Sequence, residues 1–211
     1  MSNPNPKSAP PNTAAILPMR DARRNFTRAR ICEAANDVFF ERGFEATTVE
    51  QIAEAAGTQR STLYTHFRDK QEILATIADG YTLAVKEIFG RLPAPSPTGD
   101  DIAVWIRELA DFVARRRTPT ELLVFMGHLA DVPDAVQKFG DDVMAMLAAS
   151  LPSFARAMEP GEDLAFAWAT TVLRELGWAL CYNARNHGDG RSQAKLDVAA
   201  RLFASFVHDE I

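Results

Sequence analysis

Four residues, Thr48-Val-Glu-Gln51, constrain this chain most, because they have the Ser/Thr-x-x-Glu/Gln form of a capping box. Two side chains then satisfy N–H groups orphaned at a helix start, so a helix is expected from about Val49 to Ala56, turning Val49, Ile52 and Ala53 to a core. Gly57 ends it, being tolerant of the positive φ that a tight turn needs. Thr58 can cap a third helix, Gln59 to Phe67, which hides Leu63 and Phe67. Asp69-Lys-Gln-Glu72 repeats the capping pattern ahead of a long fourth helix through Ile73, Leu74, Ile77 and Tyr81 to about Arg91. Upstream, Ile31, Ala35, Val38 and Phe39 share one face of a first helix, about Asn25 to Arg42, which Gly43 stops. Two short helices joined by a Gly-containing turn form a helix-turn-helix, whose second helix fits the major groove of DNA.

Charge first speaks against that reading, since the 211 residues carry a net charge of -5 and a phosphate backbone attracts positive proteins. Its distribution removes the objection. Arg20 to Leu92 holds eleven basic against eleven acidic residues, whereas from Pro93 onward there are eleven against seventeen. Arg20, Arg23, Arg24, Arg28 and Arg30 face a single acid, Asp21, directly after a Pro-rich leader. Residues 1–22 are therefore expected to be a disordered leader with a basic arm. The third helix exposes Gln59, Arg60, Ser61, Thr62, Tyr64, Thr65 and His66, all able to hydrogen-bond and none acidic, as suits a surface facing phosphates and base edges.

The run from Thr47 to Leu74, TTVEQIAEAAGTQRSTLYTHFRDKQEIL, closely resembles the DNA-binding signature of the tetracycline-repressor (TetR) family, and the likeness spans about Asn25 to Tyr81. The resemblance implies a dimeric regulator, most often a repressor that a small ligand releases from its operator. Residue by residue, it puts Thr47, Thr48 and Lys70 at phosphates and Arg60, Ser61 and Thr65 at base edges. Thr62, Tyr64 and His66 would hold the DNA backbone. Tyr64 also reads as a packing residue. Arg60 is the best candidate for a direct reader, because a guanidinium pairs bidentately with guanine. Arg23, Arg24 and Arg28 would reach phosphates or the minor groove.

Pro93-Ala-Pro-Ser-Pro-Thr-Gly99 reads as a linker, dividing a DNA-binding part, 23–92, from a helical part, 100–211. Helices are expected from Asp100 to Arg117, from Thr118 through Leu129, from Pro133 to just before Pro152, from about Pro160 to His187 and from about Ser192 to His208. The class is all-α, with about nine helices and no sustained strand alternation. The penultimate helix is apolar almost all round, so the last two helices are expected to pair with those of a second copy. Trp105, Phe112, Phe125, Met126, Met144, Trp168 and Trp178, with His128, Arg174 and Glu175 as polar groups, could line a pocket for a largely apolar effector of unspecified identity. Any helical core contains such residues as well.

The other function classes find little support. No phosphate-binding glycine motif, nucleophile elbow or metal-type histidine spacing occurs, so neither catalysis nor a metal or other cofactor is implied. Cys32 and Cys181 stand alone, no apolar run approaches the roughly 20 residues of a membrane span, and the start does not read as a secretory signal. A cytoplasmic, ligand-responsive regulator of double-stranded DNA is the expectation. A helical adaptor that binds protein through the same N-terminal helices is the alternative.

Overall fold

The computed structural model describes residues 19–129 and 131–209, and among them finds ten α-helices and no strand. In chain order these are α1 (Met19–Arg42), α2 (Val49–Ala55), α3 (Arg60–Tyr64), α4 (Lys70–Phe89), α5 (Gly99–Arg115), α6 (Arg117–Met126), α7 (Asp134–Ala148), α8 (Pro152–Ala157), α9 (Asp163–Arg185) and α10 (Gly190–Val207). Residues 19–22, assigned above to the leader, form the first turn of α1, while residues 1–18 lie outside the described residues. The short α8 is additional to the expected helices. Its six residues, with Pro152 at the first position, are too few to show a helical period.

Local chemistry sets the N-terminal turns. Gly43, at φ 81°, closes α1 with its N–H on the Phe39 carbonyl at 3.0 Å. Both halves of the capping box form: Gln51 N–H donates to Thr48 Oγ1 at 3.3 Å, and Thr48 N–H donates to Gln51 Oε1 at 2.9 Å. Gly57, at φ 60°, makes the turn into α3. Thr58 is not the cap of α3; Gln59 occupies that position and makes no side-chain capping bond. The helix is also shorter than expected. Beyond Tyr64 the chain tightens, with Thr65 Oγ1 donating to the Thr62 carbonyl at 2.6 Å and Phe67 N–H to Leu63 at 2.9 Å. Replacing Thr48 by alanine is expected to cost about 1 kcal/mol of stability, read as a lower urea midpoint at unchanged slope.

Packing joins the two parts into one body. Ile31, Phe39, Ile52, Leu63 and Phe67 are buried under the N-terminal head, and α4 continues that core through Leu74, Ile77, Tyr81 and Val85. The buried face of α5, including Ile102, Trp105, Leu109 and Val113, takes it onward to α9 and α10. α6 touches α1, α4 and α9, so it bridges head and bundle. α9 is not covered on every side in a single copy. Leu164 is 85% exposed, and Phe166 and Trp178 also reach solvent.

Candidate functional site

Leu63 and Phe67 anchor α3 from below, leaving Arg60, Ser61, Tyr64 and Thr65 exposed and Thr62 partly so. Arg60 forms an ion pair with Glu50 of α2 at 2.7 Å, and its Nη2 lies 3.4 Å from the Tyr64 hydroxyl. Both charged partners are exposed, so the pair contributes little and yields readily to a base edge. His66 is half-buried at the end of the segment. Its burial, then the charges of Arg24 and Arg28, hold its pKa below the usual histidine value.

Three residues expected at phosphates are occupied in framing the head. Thr47 is buried, its hydroxyl donating to the Gly43 carbonyl at 2.7 Å. Lys70 donates to the carbonyls of Phe44, Glu45 and Thr47 at 2.7, 3.0 and 3.3 Å, with its ammonium 4.6 Å from the Phe44 ring centroid. Arg28 donates to the His66 carbonyl and to Thr76 Oγ1, and stacks 4.1 Å over Phe67, tying α1 to α3 and α4. Buried or half-buried carbonyls of the α1–α2 loop and the α3 end compete for these cations, and no sequence period announces them. Arg23, Arg24 and Thr48 remain exposed, with Arg24 near enough to His66 for its charge to act on that ring. Arg68 joins them without having been expected there: its side chain is 86% exposed just after α3, held by Glu72 at 3.2 Å.

Where α4 meets the C-terminal part, α4, α5, α6, α7 and α9 line a half-open cavity of about 670 Å³, within the usual range for small-molecule sites. Of the ten residues expected at a ligand, His128, Met144 and Arg174 line it. Trp105, Phe112 and Met126 belong instead to the buried core. Phe125 and Trp178 pack edge to face at 4.7 Å behind the wall, Trp168 packs half-buried against the core, and Glu175 is exposed beside Arg174. Tyr81, Phe89, Thr120 and Phe139 also line the cavity. The sequence pattern puts Tyr81 on the apolar face of the fourth helix, where cavity wall and solid core show the same spacing.

His128 offers the cavity no free ring nitrogen. Its Nδ1 donates to the Val124 carbonyl at 2.7 Å and its Nε2 accepts from Trp178 Nε1 at 3.1 Å, partners that assign the neutral Nδ1–H tautomer. The Tyr81 hydroxyl is bonded to Thr120, whose Oγ1 donates to the Arg116 carbonyl at 3.1 Å. Burial pushes the Cys32 thiol up to about 11 and the Cys181 thiol up to about 12. Neither is a ready thiolate.

A polar, acid-free helix held out by buried anchors, with a long helix leading from it to an apolar cavity, defines a helix-turn-helix transcriptional regulator. The profile of "Bacterial regulatory proteins, tetR family" matches residues 31–77. The chain is 38% identical over 193 residues to the HTH-type transcriptional repressor KstR2 of Rhodococcus jostii, an alignment covering 86% of this chain and 89% of that one. It is 27% identical over 159 residues to the HTH-type transcriptional repressor BepR of Brucella suis, covering 71% and 74%. Its fold is similar to that of the transcriptional regulator FadR from Bacillus subtilis in complex with stearoyl-CoA, at TM-score 0.62 and 16% identity over 85% of this chain and 99% of that one. The chain belongs to the TetR family, whose members are DNA-binding regulators rather than enzymes.

Proposed function

We propose that this chain is a cytoplasmic repressor that binds a palindromic operator as a homodimer and leaves it when a largely apolar small molecule fills the cavity. The exposed, acid-free face of α3 carries the reading. On it, Arg60, Ser61 and Thr65 meet base edges, while Thr48, Thr62, Tyr64, His66, Arg23 and Arg24 hold the DNA backbone. Residues 23–92 are the reading part and residues 100–211 the sensing and dimerising part. Exposed Leu164, Trp178 and Val198 on α9 and α10 support a second copy covering these helices. Two reading heads then fall about 34–36 Å apart, one turn of the duplex.

Release requires an effector that favours the DNA-incompetent arrangement, because equal affinity for both shifts nothing. α4 provides the link. It begins with Lys70 bonded into the head, and its Tyr81, Val85 and Phe89 form part of the cavity wall. The neighbouring FadR structure contains stearoyl-CoA, which supports a ligand with a large apolar part.

The test is fluorescence anisotropy on a duplex selected from a random library, repeated at several salt concentrations. The logarithm of affinity is expected to fall with the logarithm of salt at a slope of about -0.9 per phosphate contact, summed over several contacts. A flat response, or failure to enrich any palindrome, overturns the reading and favours the protein-binding adaptor.

A further inference from the structure

We propose that the cavity takes an amphiphile whose apolar body ends in an oxyanion, and that Arg174 at the mouth holds that anion. This rests on the cavity being the effector site. The lining is mostly aliphatic and aromatic, and most of its polar groups are already engaged. Tyr81 and Thr120 bond each other at the buried end, and both nitrogens of His128 are occupied. Thr170 Oγ1 donates to the carbonyls of Phe166 and Ala167 at 2.9 and 3.0 Å. An apolar body can lie against all of these without stranding a polar atom.

The charged lining residues are Arg174 and Asp141. Arg174 is 46% exposed, and its sole described partner is Glu175, the next residue along α9, at 3.6 Å from Nε. An exposed pair of this kind contributes almost nothing, so its guanidinium is available at little cost. The terminal nitrogens make no hydrogen bond among the described residues, and their planar fork matches two oxygens of a carboxylate or phosphate. Tyr81, by contrast, is 6% exposed. Arg174 therefore belongs to the solvent-open part of the lining and Tyr81 to its buried part, an arrangement that suits an amphiphile with its head outward. Asp141 is exposed on α7 and leaves a cationic head as the competing outcome.

The experiment uses three matched fluorescent probes, pyrenebutyrate, pyrenebutanol and pyrenebutylamine, titrated into the full chain while pyrene emission reports entry into an apolar site. The acid is expected to bind at least about tenfold more tightly than the alcohol or the amine. Arg174→Gln should bring the acid down to the level of the alcohol without changing the alcohol, and Arg174→Lys should keep part of the preference. Gly140→Trp is the blocking control. Gly140 lines the cavity and a Cβ there meets nothing within 4 Å, so an indole is tolerated at this point of the lining and should weaken binding of all three probes. Equal binding of acid and alcohol, an unchanged preference in Arg174→Gln, or tighter binding of the amine overturns the proposal. Binding of no probe, or equal binding to Gly140→Trp, overturns the cavity reading itself.

Discussion

Arg60→Ala is expected to fold normally, to bind each half-site of the selected operator about 5- to 150-fold more weakly, and to accept a wider set of bases at one position of each half-site. The range corresponds to the roughly 1–3 kcal/mol that one bidentate guanidinium contributes to base discrimination. Stability should hardly change, because Arg60 is exposed and its ion pair with Glu50 joins two solvated groups. The decisive comparison is site selection repeated with the variant. Uniform weakening on every sequence, with undiminished stringency, would make Arg60 a phosphate contact. Unchanged affinity would remove Arg60 from the interface.

Trp105→Ala is expected to cost about 3–5 kcal/mol of folding stability, a large share of what a domain of this kind possesses. The indole is 2% exposed, meets Phe89 edge-on at 5.2 Å and Phe203 at 5.2 Å, and donates from Nε1 to the Ile88 carbonyl at 3.0 Å near the end of α4. Its removal opens a void where α4, α5 and α10 meet and takes one of two donors from that carbonyl, which also accepts from Arg91 N–H at 3.1 Å. Chemical denaturation gives the measure. Trp105→Phe should lose less, and its folded form should bind pyrenebutyrate as the parent does, since Trp105 lies outside the cavity wall. A changed probe affinity in Trp105→Phe would show that this residue shapes the cavity through Phe89, against which it packs.

The head is legible in the sequence because its determinants are local. The Thr48 box, the Asp69 cap, Gly57 in its left-handed turn and the buried pair Leu63 and Phe67 each act within a few residues, so spacing alone reveals them. The cavity is far less so. Trp105, Phe112 and Tyr81 all fall on apolar helix faces, and only the angles between α4, α5 and α9 decide that Tyr81 fronts a void while Trp105 fills solid core. The fate of Lys70, Arg28 and Thr47 is hidden for a related reason. Whether a cation faces outward to phosphate or inward to a carbonyl depends on loop oxygens up to 38 residues away in the chain.

That inward turn reaches beyond the individual protein. Because Lys70 and Arg28 brace the head from inside, the four exposed positions Arg60, Ser61, Tyr64 and Thr65 have little part in holding α3 in place: contacts within its own turns and one solvated ion pair from Arg60 to Glu50 of α2. After a gene duplication, one copy can drift to a new DNA target through a handful of codon changes and inherit an intact scaffold. Change at the bracing residues loosens the head whichever genes the copy comes to control.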